Sequence, residues 1–197
     1  MGKKCTTDVD LYDNVEFCQG SASLPGIRPH MYMIKRSNIV TFPKVLGKSA
    51  TSLEDVAVIK DNFVLAADAK FVKVELVDGA SEPTCENQGN EGAKSYNNSV
   101  SFVVPGTEKK ATGLIALLNG DDVIFLYPQR NGAIRVIGND MFRVQLTLGQ
   151  SAGKEVTDSS QTTITASVSD INPAPFYEGT FLTEDGTIDG KTDTITE

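Results

Sequence analysis

Three stretches of the chain alternate apolar and polar residues with a period of two. In FVKVELV, Val72, Val74 and Leu76 alternate with Lys73 and Glu75. In MFRVQLTL, Phe142, Val144, Leu146 and Leu148 alternate with Arg143, Gln145 and Thr147. In TITASV, Ile164, Ala166 and Val168 alternate with Thr163, Thr165 and Ser167. Such alternation predicts strands with one apolar and one wet face. SVSFVV and DVIFLY are further strand candidates. FLYPQRNGAIRVIG, from Phe125 to Gly138, places Asn131-Gly132 between two apolar runs and predicts a hairpin.

One segment follows another period. In TEKKATGLIALLNG, Ala111, Leu114, Ile115 and Leu118 stand at helical spacing. Thr107 is placed to cap the start and Asn119-Gly120 to stop it, which predicts a helix over 107–118. SLEDVAVIKDN, residues 52–62, fits either a short helix opening on Ser52 and Asp55 or a strand. Two long polar stretches, 78–98 and 149–162, read as loops. The second joins two alternating strands and is expected at the tip of a projecting hairpin.

Strands with one apolar face need a cover, so the expected fold is mainly β: a two-sheet sandwich or barrel-like body with one packed helix. Its expected extent is 31–180. Residues 1–30, ending in the turn-rich LPGIRPH, read as an N-terminal arm, and 181–197 as an acidic C-terminal tail.

The chain has 197 residues, enough for one well-filled domain, with 26 acidic residues against 18 basic ones and a formal net charge of −8. That balance argues against specific nucleic-acid binding, though not against a surface that DNA passes without sticking. Cys5, Cys18 and Cys85 are odd in number and far apart, so free thiols in a reducing compartment are expected. MGKKCTTDVD lacks an apolar core after its lysines, so neither a secretory signal nor a membrane anchor is expected.

Candidate chemistry is sparse. His30, the one histidine, sits in a Pro-rich turn and reads as structural. GKSA at Gly47–Ala50 resembles the end of a phosphate loop, but Phe42 stands where that motif needs glycine. Asp185, Asp189 and Asp193 lie four apart, unlike the alternate positions of a calcium loop, and read as a solvated tail. Asn97-Asn98-Ser99 matches a glycosylation sequon, which is uninformative without secretion. No catalytic, cofactor-binding or metal-binding residue is assigned, no cofactor is expected, and the chain is not read as an enzyme.

The order of elements resembles that of the tail tube (major tail) proteins of long-tailed bacteriophages. The resemblance runs from the helix at Thr107–Leu118 through the Asn131-Gly132 hairpin to RVQLTLGQSAGKEVTDSSQTTITASVSDINPAPFYEG. GSASLPGIRPHMYMI and SNIVTFPKV look like the opening of structural proteins from phages and prophages of Bacteroidetes. The resemblance implies a subunit whose six copies form a ring with a continuous inner β-barrel. Rings stack into a tube that conducts DNA without binding it specifically. It further implies contacts with other phage tail proteins, and a virion tail location after assembly in the bacterial cytoplasm. The hairpin from Phe125 would then lie in the barrel wall or in the sheet behind it. Two alternatives stay open: another virion ring protein (head-tail connector, tail terminator or baseplate), and a non-viral β-sandwich binding module.

Overall fold

A computed structural model describes residues 11–16 and 24–196. In chain order come β1 (His30–Lys35), β2 (Ile39–Thr41), β3 (Val58–Ile59), β4 (Val64–Leu65), β5 (Val72–Glu75), β6 (Glu82–Gln88) and β7 (Ser95–Pro105). The helix α1 (Lys109–Leu118) follows, then β8 (Val123–Pro128), β9 (Ile134–Ile137), β10 (Gln145–Ser151) and β11 (Gln161–Asp170). The chain closes with β12 (Phe176–Tyr177), β13 (Thr180–Thr183), β14 (Gly186–Asp189) and β15 (Thr194–Thr196).

These strands build a sandwich-like body around a central six-stranded sheet ordered β3-β12-β9-β8-β1-β5. All six residues of β8 are buried, because both of its faces are covered. On one face, Phe125 and Tyr127 meet Phe102 of a four-stranded sheet, with ring centroids 5.5 and 6.4 Å apart. On the other, Tyr32, paired with Leu126, meets Phe181 of the β13-β14-β15 sheet at 5.0 Å. Phe63, Phe71 and Tyr177 extend that second interface in edge-to-face and tilted contacts. The core is thus continuous through three layers.

The hairpin expected from Phe125 to Gly138 is β8 and β9, joined across Pro128·Ile134, with Gly132 at φ 96° in its tip. The helix is present, and Asn119 caps its C-terminus. Its N-cap is Glu108, not Thr107, and no side chain caps it. The Thr107 hydroxyl instead lies 3.2 Å from that of Ser160, so it is drawn toward the β11 side. Residues 52–62 are mainly a 3₁₀ turn at Glu54–Ala57 followed by β3.

Three expectations need correction. Residues 78–98 are largely strand: β6 pairs with β7 from Glu82·Ser101 to Gln88·Ser95. Backbone pairing makes this strand without an apolar face. The apolar face of MFRVQLTL does not include Phe142, which is 51% exposed, and β10 begins only at Gln145. Asn139 Oδ1 accepts the N–H groups of Met141 and Phe142, and the Arg36 guanidinium takes the carbonyls of Asn139, Asp140 and Phe142. That segment is therefore held as a turn. Residues 181–197 are not a solvated tail over their described length, since they carry strands β13 to β15, and the Asp193 side chain is only 1% exposed.

Of the proposed arm, Ile27 is buried and bridges to Gln129. Cys5 and Cys18 lie outside the described residues, and Cys85 is a free, exposed thiol. No helix among the described residues is long and apolar enough to cross a membrane.

Candidate functional site

The four-stranded sheet has the order β10-β11-β7-β6, antiparallel throughout. Along β11 the alternation is strict. Thr162, Ile164, Ala166, Val168 and Asp170 are buried, while the residues between them are partly exposed on the opposite face. Register carries that outer face across the sheet. Thr165 stands between Thr147 and Ser101, and Ser167 between Gln145 and Ser99. On β6 the face continues as Glu82, Thr84, Glu86 and Gln88.

The face is therefore mostly hydroxyls and amides, with two carboxylates, the apolar Val103 and Pro105 at one end of β7, and no cationic side chain at its strand positions. Its members bond to one another. Thr165 Oγ1 donates to Ser101 Oγ at 3.5 Å, and Gln88 Nε2 donates to Ser169 Oγ at 3.1 Å. Short polar side chains of this kind hold water and offer little apolar area to drive a cover over them. The hairpin of β8 and β9 lies in the sheet behind this face.

Among the described residues, no strand pairs with either end of the sheet. β6 and β10 are its edges, seven residues each, and most of their residues are exposed. Unpaired strand edges of this length are templates for another strand.

Elsewhere the polar clusters are mostly satisfied internally, with Asp122 Oδ1 and Arg135 Nε buried without a hydrogen-bond partner among the described residues. His30 lies against Asp193, together with Arg28 and Tyr32. Alternation in Arg28-x-His30-x-Tyr32 places three donors on one face, where they share Asp193 as acceptor. Burial works to raise the Asp193 carboxyl, but bonds from His30 and Tyr32, the charge of His30 and the bond from Arg28 outweigh it and hold it below its ordinary value. Burial, aided by the bond to Asp193, pushes Tyr32 upward. Tyr177, raised to about 12 by burial, donates to Thr180 O and is structural.

A cleft of about 700 Å³ is lined by Lys35, Arg36, Asp121, Asp122, Met141 and Arg143. Its charges are paired internally, Lys35 with Asp121 at 2.7 Å and Arg143 with Asp122 at 3.3 Å. Gly47–Ser49 forms a 3₁₀ turn entered from a helical Leu46, not a loop leaving a strand. Asp189 caps Lys191 N while Asp193 faces Arg28 and His30, so the two serve different contacts. Among the described residues no three His, Cys, Asp or Glu side chains converge as a metal cage would require. Asn97 of the sequon stands inside the paired strand β7.

No family model, curated protein or solved structure matches the chain.

Proposed function

We propose that the protein is a tail tube subunit of a long-tailed bacteriophage, in which six copies close into a ring and rings stack around a DNA conduit. The observation that carries this is the four-stranded sheet, which pairs a wet, cation-free face with two open edges. Strand sense alternates across it, so β6 and β10 run in opposite directions. Rotation about a ring axis keeps the sense of each strand. The β6 edge of one copy therefore meets the β10 edge of the next as an antiparallel pair, and repetition closes a barrel with no edges left.

The polar face would then line the lumen. Glu82 and Glu86, repeated in every copy, repel phosphate, and the hydroxyls and amides keep a hydrated wall along which DNA slides. The helix and the other three sheets, including the two-stranded β2-β4 pair, lie outside the wall. The partners are copies of the chain and the tail proteins at either end of the tube, and the location is the virion tail after assembly in the host cytoplasm.

Negative-stain electron microscopy of the purified protein tests this. Six-fold rings or tubes with a central hole are expected. Lone particles at every concentration up to the solubility limit would overturn the proposal.

A further inference from the structure

The two open edges are matched to each other in detail. In an antiparallel ladder, opposed residues alternate between pairs that exchange two backbone hydrogen bonds and pairs that exchange none. Gly106 N–H donates to Ser160 O at 3.0 Å, one step beyond the Pro105·Gln161 pair. The bonded pairs of β7 and β11 are therefore Val104·Thr162, Phe102·Ile164 and every second pair onward. The intervening residues of β7 turn toward β6. Val103 shows it, since its N–H reaches Ser81 Oγ at 3.1 Å and its carbonyl accepts Val77 N–H at 2.7 Å. Within β6, Glu82, Thr84, Glu86 and Gln88 are then bonded to β7. Pro83, Cys85 and Asn87 direct their backbone groups outward. Proline has no N–H to lose there. By the same alternation, Leu146, Leu148 and Gln150 of β10 direct theirs outward.

We infer that β6 of one copy joins β10 of a second copy in a single register, with Cys85 opposite Leu148. This inference rests on the ring proposal above and gives its junction at residue level. Three features select the register, and a fourth is compatible with it. It is the one in which the two seven-residue strands overlap from end to end, Glu82 beside Ser151 and Gln88 beside Gln145. It aligns all three outward residues of each edge: Cys85·Leu148 and Asn87·Leu146 exchange two bonds each, and Pro83·Gln150 exchanges one. On the inner face, the half-buried Leu146 and Leu148 gain cover from Asn87 and Cys85. On the outer face, Glu86 meets the Thr147 hydroxyl and Gln88 meets Gln145, so no like charges are opposed. A shift by two residues in either direction leaves one outward residue of each edge without its counterpart.

Opposed residues in such a pair have Cα atoms about 5.5 Å apart, within disulfide range. The test uses full-length protein carrying Cys5→Ser and Cys18→Ser, assembled and then oxidised with copper phenanthroline. Adding Leu148→Cys should give a ladder of disulfide-linked multimers on a non-reducing gel, ending at the ring number. Leu146→Cys or Gln150→Cys in the same background should cross-link to Cys85 at least tenfold more slowly. Should Leu148→Cys impair folding, Cys85→Ser with Asn87→Cys and Leu146→Cys reads the same register at the neighbouring pair and should cross-link as fast. Fastest linkage through position 146 or 150, in rings visible by microscopy, would overturn the register and leave the ring standing. Rings that cross-link at none of these positions would place the junction elsewhere. A parent protein that forms no ring defeats the ring proposal, and the register with it.

Discussion

His30 Nε2 lies 2.8 Å from Asp193 Oδ2, across 163 residues of chain. The same oxygen accepts Arg28 Nη1 at 2.8 Å, and Tyr32 Oη donates to Oδ1 at 2.7 Å. Asp193 is held at φ 55°, a left-handed conformation that aspartate tolerates better than most residues, and its own N–H donates to Asp189 O. The turn between β14 and β15 is thereby fastened to β1 and the residues leading into it, which ties the outermost sheet to the central one.

Asp193→Asn should cost on the order of 3 kcal/mol, because it leaves the buried Tyr32 hydroxyl and the partly buried Arg28 and His30 side chains facing an amide. The effect has a defined pH window. The carboxyl is held below its ordinary value of 3.8, so its stabilisation is complete above that pH and is lost as pH falls through the lower folded value. Thermal melts should show a wide gap between parent and variant at pH 6 that narrows below about pH 4. Equal melting temperatures at pH 6 would mean that other contacts hold the C-terminal sheet.

Legibility in the sequence followed the apolar core. TITASV was readable because Ile164, Ala166 and Val168 all reach that core. The pairing of β10 with β11 followed from two alternating runs around one polar loop. β6 was not readable. Its inward positions, Pro83, Cys85 and Asn87, stand at the margin, where no apolar residue is required. Phe142 misled because a turn held by Asn139 and Arg36 overrides the alternation of MFRVQLTL. The Asp193 contacts join residues too far apart in sequence for spacing to connect them. The polar face was visible as alternation along single strands, but its extent and its open edges depend on sheet order, which the pattern does not encode.

Two glycines should respond oppositely to alanine. Gly138 has φ 127°, and a Cβ there would overlap Ile124 Cδ1 and press on Val144 Cγ2. Gly138→Ala should destabilise by about 2 kcal/mol. Gly113 lies in α1 with nothing within 4 Å of an added Cβ. Gly113→Ala should stabilise by about 0.8 kcal/mol and raise the melting temperature by roughly 2–3 °C. Urea unfolding of both variants measures the pair, and a shift of the same sign in both would contradict this account.

Val144 and Thr165 separate fold from function. Val144 is 6% exposed, and Val144→Asp should cost several kcal/mol and yield little folded protein. Thr165 sits on the polar face, where Thr165→Lys should change monomer stability by no more than about 0.5 kcal/mol. If that face lines a DNA conduit, the added cation recurs in every subunit and should slow DNA passage, read as delayed ejection or reduced infectivity. Normal infectivity of Thr165→Lys virions would argue against a lumen-facing role. A folded, assembling Val144→Asp would overturn the burial assigned to that strand's entry.

The loop between β10 and β11, residues 152–160, should act between rings. It is a built turn: Asp158 Oδ2 accepts the N–H groups of Glu155 and Lys154 at 2.9 and 2.7 Å, and these bonds hold its carboxyl below the ordinary value. Between those residues and Asp158, Val156 stands with its side chain wholly in water, at 105% relative exposure. Folding gives that valine no cover, whereas a neighbouring ring would. Replacing 152–160 with an Asn-Gly turn should leave the monomer folded, because Ser151·Gln161 already closes the hairpin ladder. Rings should still form, since the β6 and β10 edges are untouched, but they should not stack. Val156→Asp is the milder form. Burying one valine is worth about 1.5 kcal/mol, so its loss should raise the critical concentration for tube growth roughly tenfold. Sedimentation across a concentration series, with microscopy to separate rings from tubes, measures this. Tubes of parental length from the loop-replaced protein would remove the loop from ring-to-ring contact and leave Val156 without a role in assembly.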